Sequence, residues 1–195
     1  KPKKTKQVKQ IKKADKKNIN NISTLIYDAI HNVANTLTGE NEDKKILETL
    51  DYYIKMDVCR LSYNNIYTYI IDNQNVGILL AYSSNDVEKL DKPMLEHLKR
   101  KNIFLDSFEK ECFEDEFYID TVSVSPSFQG RGIAKELFSF AEQKAKELDF
   151  KKLSLLVDFE NPKAKALYEK LGFKDNEILK VSGSNFYHMI KQLDL

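Results

Sequence analysis

The sequence predicts a single α/β domain, and three observations carry that prediction. Two β-branched and aromatic runs, Ile66 to Ile71 and Val76 to Tyr82, flank the turn-forming Asp72-Asn73-Gln74-Asn75, the pattern of a β-hairpin. From Phe117 onward the apolar period switches from strand-like to helix-like and back, as in a βαβ unit. The length of 195 residues, 42% of them hydrophobic, suits one compact core and falls short of the usual length for two.

Taken in order, Val8, Ile11 and Ala14 are interleaved with lysines, which is read as a short edge strand. Ile22, Leu25, Ile26, Ala29, Ile30 and Val33 recur at helical spacing and predict one amphipathic helix. Leu37-Thr38-Gly39 breaks it, and Ile46, Leu47, Leu50, Tyr53 and Ile54 form the stripe of a second. After the hairpin, Ser83 to Glu116 reads as a surface excursion with a short helix following Pro93. Phe117 to Val124 is a strand, Ile133 to Leu148 a helix and Leu153 to Val157 a strand. Asn161-Pro162 opens a helix that runs to Leu171 before Gly172, and Phe186 to Ile190 is the last strand.

Composition narrows the function classes. A net charge of +1 gives no general pull toward nucleic acid, although positions 1 to 17 hold nine lysines. Residues 1–7 are read as a basic extension and residues 8–195 as the domain; a solvated end is preferred over a nucleic-acid-binding arm. Cys59 and Cys112 lack metal-ligand spacing, and the 3 histidines form no zinc pattern, so free thiols, no metal and a cytoplasmic setting are expected. No apolar run is long enough for a transmembrane helix, and no secretory signal is recognisable, which predicts a soluble protein without a membrane partner.

The chemistry concentrates in the turn Ser125-Pro126-Ser127-Phe128-Gln129-Gly130-Arg131-Gly132, between a strand and a helix. Glycine lets a backbone approach a ligand closely, and the first N–H groups of a helix have no internal partner. Those donors, the helix dipole and the cations Arg131 and Lys135 suit a phosphate group. A Rossmann dinucleotide site requires a third small residue three past the second glycine; Ala134 stands two past Gly132, and no Gly-Lys-Ser/Thr of a P-loop follows.

Gln129-x-x-Gly132-x-Ala134 instead resembles the Q/R-x-x-G-x-G/A acetyl-CoA signature of the GNAT superfamily of N-acetyltransferases. The resemblance extends over Tyr118 to Pro126 before the turn and Asn161 to Phe173 after the next strand. It implies a mixed, mostly antiparallel twisted sheet with helices on both faces, and acetyl-CoA as co-substrate without a metal. It implies that Val122 and Val124 pair through their backbones with the pantetheine arm, that Gln129, Gly130, Arg131, Gly132, Ile133 and Ala134 hold the pyrophosphate, and that Asn161 lies near the reactive end. Asn161 is equally well explained as a helix N-cap.

Moving an acetyl group from a thioester to an amine needs a base for the amine and an acid for the thiolate. The resemblance places the Tyr168 hydroxyl near the sulfur as the acid; a core aromatic in the Ala164, Leu167, Leu171 stripe is the plainer alternative. Glu116, Tyr118 and Asp120 alternate and so share a face, which makes Asp120 the first candidate base and Glu116 the second, with a structural hydrogen-bonding role the alternative for either. Neither cysteine has a recognisable histidine partner, and the resemblance implies direct transfer in a ternary complex, without an acetyl-enzyme. The acceptor, an amine on a small molecule or a protein, carries no motif. The acidic run Glu109 to Glu116 could attract a cationic one, but a solvated loop is the preferred reading, and a homodimer stays open. A non-catalytic acyl-CoA sensor is the alternative function.

Overall fold

The computed structural model describes residues 7–194. All of the basic extension but residue 7 lies outside them, as do its lysines at positions 1, 3, 4 and 6.

The elements in chain order are β1 (Lys9–Lys13), α1 (Ile22–Ile30), α2 (Val33–Thr38), α3 (Asp43–Ile54), β2 (Ile66–Ile71), β3 (Gln74–Ser83), α4 (Val87–Arg100), β4 (Phe117–Val124), α5 (Ile133–Glu147), β5 (Lys152–Asp158), α6 (Pro162–Lys170), β6 (Lys174–Val181) and β7 (Ser184–Gln192). The strands form one seven-stranded sheet in the order β1-β2-β3-β4-β5-β7-β6. Among the described residues only β4 and β5 are parallel, and α5 is the crossover between them. A parallel pair cannot be closed by a tight turn and needs a crossover connection, which the helix after the glycine turn supplies. The α/β class and the mostly antiparallel sheet flanked by helices are as expected.

The sheet separates two cores. On one face Ile22, Leu25 and Ile26 of α1, Ile46 and Leu50 of α3 and Met94 of α4 pack against Ile78, Leu80 and Tyr118. On the other, Ile133, Leu137, Phe138 and Ala141 of α5 pack against Leu79, Ile119 and Leu155, with Tyr168 of α6 partly buried beside them. Full burial of a leucine such as Leu137 contributes about 1.5–3 kcal/mol, so α5 is clamped to the sheet along its length and its N-terminus is fixed.

Three local expectations are corrected. The single helix over Ile22 to Val33 is two, because His31 turns the chain with φ +47° and α2 starts afresh at Val33. The helix expected after Pro93 begins at Val87 and carries Pro93 in its interior. A further strand, β6, was not foreseen, because its residues are almost all exposed and show no apolar alternation.

Candidate functional site

The glycine turn folds as an open cradle. Gly130 and Gly132 have φ of +76° and +81°, in the left-handed region that L side chains rarely adopt, and a Cβ on either would meet no atom within 4 Å. Gly132 is the N-cap of α5, and no side chain caps the helix there. The first-turn amides therefore have no capping side chain. Arg131 lies exposed over the Phe128 ring, 4.8 Å from its centroid, with its guanidinium also donating to the Ser127 carbonyl at 3.3 Å. Ile133 is buried and anchors the turn, and Ala134 is half-buried. Gln129 is exposed, and its side-chain amide donates to the Val124 carbonyl at 3.1 Å.

The strand that leads into the cradle carries a break in its pairing. Pairing of β4 with β5 runs only from Phe117–Leu153 to Ile119–Leu155, although both strands continue. At the same place Leu80 of β3 pairs with Thr121 and Ala81 pairs with Ile119, so Asp120 is the extra residue of a β-bulge. A bulge bends its strand and re-aims a side chain. Beyond it the β5-facing edge of β4, which includes Val122 and Val124, has no strand partner.

A cleft of roughly 550 Å³ opens in this gap. Asp120, Thr121 and Val122 line it from β4, and Val157 and Asp158 from β5. Asn161 and Tyr168 contribute from the α6 side, and His31 and Asn32 from the α1–α2 junction. The Asn161 side chain accepts from the Ala164 amide at 3.1 Å, so the residue is an N-cap that also borders the cleft. Tyr168 stacks edge-on against Phe138 at 5.3 Å between centroids, and burial raises its pKa.

The cleft floor is a polar network. Arg60, 3% exposed, donates to Asp91 through Nε at 2.7 Å and Nη2 at 2.8 Å, and to Glu111 through Nη1 at 2.5 Å. The Tyr118 hydroxyl donates to the other Glu111 oxygen at 2.8 Å. Asp120 accepts from the Tyr82 hydroxyl at 2.5 Å and from Thr121 at 3.0 Å. Burial first, and the Glu111 charge second, push Asp120 up from the usual carboxylate range to about 6.

Glu116 goes elsewhere. It is 1% exposed and accepts from the Phe113 amide at 3.0 Å and from His188 Nε2 at 2.9 Å, while Asn176 donates to His188 Nδ1 at 3.1 Å. Burial works to raise its pKa, but the His188 and Phe113 bonds outweigh it and hold the carboxyl low. Glu116 is not among the cleft-lining residues, and its carboxylate is engaged by His188 and the Phe113 amide. The shared face of Glu116, Tyr118 and Asp120 does not make a shared site.

Arg60 and Glu111 border the cleft without any sequence motif to announce them. The available signals were an arginine in an apolar neighbourhood, which must pair with acids when buried, and the acidic run that contains Glu111. Burial pushes both cysteine thiols up to about 12, which leaves neither as a ready nucleophile.

The model of the acetyltransferase (GNAT) family matches residues 30–173, which include the cradle, the bulge and Tyr168. The chain belongs to this family. A crystal structure of an acetyltransferase aligns with 95% of this chain and 100% of its own, at 29% identity and a TM-score of 0.78. The N-acetyltransferase from Staphylococcus aureus Mu50 aligns at 25% identity and a TM-score of 0.77, over 93% of this chain and 99% of that one. Among curated proteins, the uncharacterized N-acetyltransferase YycN of Bacillus subtilis (strain 168) is 31% identical over 71 residues, 36% of this chain. The chain spans about half the length of the curated relatives it matches, 46% of each. Within the GNAT frame the glycine turn of this chain sits at the N-terminus of the helix that crosses over between the parallel strands β4 and β5. Among the described residues no group of acids, histidines and cysteines is arranged for a metal, and no helix is long and apolar enough to cross a membrane.

Proposed function

We propose that the protein transfers an acetyl group from acetyl-CoA to a primary amine, on a small molecule or a protein, by direct transfer in a ternary complex. The observation that carries this reading is the cradle of Gly130 and Gly132, open where a Cβ would stand and continuous in sequence with the strand that borders the acid-floored cleft. Residues Gln129 to Ala134 would hold the pyrophosphate through the uncapped amides of α5, with Arg131 supplying charge. The unpaired edge of β4 at Val122 and Val124 would receive the amide-bearing arm as an added strand receives its neighbour.

In the chemical step the amine nitrogen bonds to the thioester carbonyl carbon and the C–S bond breaks. Asp120 accepts the proton of the amine; a carboxylate titrating near 6 is ionised at neutral pH yet more basic than an ordinary one. Tyr168, whose phenol stays protonated because burial raises its pKa, donates to the departing thiolate. Glu116, held ionised by its buried bonds, acts as an anchor.

Calorimetry with acetyl-CoA tests the reading, with Gly132→Glu as the control that fills the cradle with a side chain and a negative charge. Binding by the natural protein that the variant abolishes is the expected result, followed by thiol release with an amine acceptor. Absence of binding to the natural protein would overturn the transferase reading; binding without thiol release across an amine panel would favour an acyl-CoA sensor.

A further inference from the structure

Resting on the acetyl-transfer reading above, we infer that Glu111 is a positioning residue whose fixed negative charge makes Asp120 the group of the cleft floor that takes the proton of the acceptor amine. The charges of the network do not balance. Three carboxylates, Asp91, Glu111 and Asp120, stand near the one guanidinium of Arg60. Asp91 occupies Nε and Nη2 of that fork and Glu111 occupies Nη1, so Asp120 is left with hydroxyl donors only, from Tyr82 and Thr121. A carboxylate that lacks a cation in a poorly hydrated site beside another carboxylate is where a proton lowers the energy most.

Glu111 is held in place for this role. Segment 101–116 contains no helix or strand, and loops of this length in compact domains are commonly functional. Its course is fixed by side chains on both sides of Glu111. The Phe108 ring lies against the Arg60 guanidinium at 5.3 Å, and Glu109 accepts from the Ser182 amide at 2.9 Å. Beyond Glu111, Glu116 is locked to His188 and to the Phe113 amide. Both Glu111 oxygens are engaged, one by Arg60 and one by Tyr118, and its side chain is 14% exposed on the cleft wall. The loop thus delivers one fixed charge to the floor.

The groups that face Asp120 come from every element around it: Tyr82 of β3, Tyr118 and Thr121 of β4, Glu111 and Cys112 of the loop, and Arg60 from the segment before β2. His31 and Asp158 border the same cleft. In the step itself an N–H bond of the amine breaks and an O–H bond forms on Asp120, so the net negative charge of the cluster falls. That discharge is favourable because Glu111 keeps its own.

Carbon-13 NMR titration of aspartate-labelled protein tests this without an identified acceptor, with the Asp120 carboxyl assigned by its loss in Asp120→Asn. In the natural protein its midpoint is expected near 6. Glu111→Gln should lower it by on the order of one pH unit, and Glu111→Ala, which admits water beside Arg60, should do the same if the first variant fails to fold. Glu111→Asp keeps the charge and should restore most of the shift, which a merely structural role would not do. Midpoints unchanged in the charge-removing variants, in a protein that binds acetyl-CoA, would overturn the inference alone; failure of the natural protein to bind acetyl-CoA would overturn the transfer reading and this inference with it.

Discussion

The Tyr82 hydroxyl donates to Asp120 Oδ2 at 2.5 Å across a bulge at which Asp120 loses its β3 partner and β4 loses β5. One irregularity in a central strand therefore opens the cleft and places a carboxylate on its wall. Tyr82→Phe removes a donor that stabilises the ionised form. The acidic limb of a pH–rate profile should then move to higher pH, by an amount matching one hydrogen bond of about 1 kcal/mol. A limb that stays put, or moves down, would contradict the assignment of Asp120 as base.

Asp120 also links function to stability. Its pKa rises from an ordinary 3.8 to about 6 on folding, so the folded state binds the proton more tightly and ionisation costs stability. The penalty is absent below the ordinary value and complete above about 6. Asp120→Asn should therefore be more stable than the natural protein at about pH 8, by on the order of 1–2 kcal/mol, while losing turnover. Thermal melts across pH check the sign, since the difference must shrink as the solution is acidified.

Glu116 behaves in the opposite direction. Its pKa is held low in the folded state, so its contribution is present above the ordinary carboxylate range and lost as pH falls through the folded value. Glu116→Gln keeps an acceptor for His188 and Phe113 and should retain turnover, whereas His188→Ala strands a buried charge and should cost about 3–5 kcal/mol in denaturant unfolding. Loss of turnover in a well-folded Glu116→Gln protein would return Glu116 to candidacy as the base.

Tyr168→Phe preserves the ring that packs against Phe138 and Phe173 and removes only the hydroxyl. Acetyl-CoA affinity and melting temperature should stay near the natural values while kcat falls by about 10²-fold or more. Pre-steady-state measurement of thiol release separates this chemical defect from slow product release.

Gly132→Ala adds one methyl at φ +81° and points it into the open cradle. Left-handed strain should cost about 1–2 kcal/mol of stability, and acetyl-CoA affinity should fall. Equal affinity by calorimetry would show that the pyrophosphate is held elsewhere.

Much of this molecule was legible along the chain. The strand Phe117–Val124 and the start of α5 at Ile133 follow from apolar period, and the cradle follows from two glycines at a strand-to-helix turn. Those features are set by residues a few positions apart, whose spacing fixes which face is apolar and which amides are free. The sequence by itself thus determined the class of fold, the open glycine turn and the family. Tertiary structure alone decided which acids serve the cleft. Arg60, Asp91, Glu111 and Asp120 come from four separate segments, and the partner of Glu116 lies 72 positions away. Period 2 placed Glu116 and Asp120 on one face, but burial against His188 gave the first to the core, and the bulge turned the second to the cleft. The physical reason is that a carboxylate's role is set by the cations and donors that surround it, and the packing of distant segments chooses those neighbours.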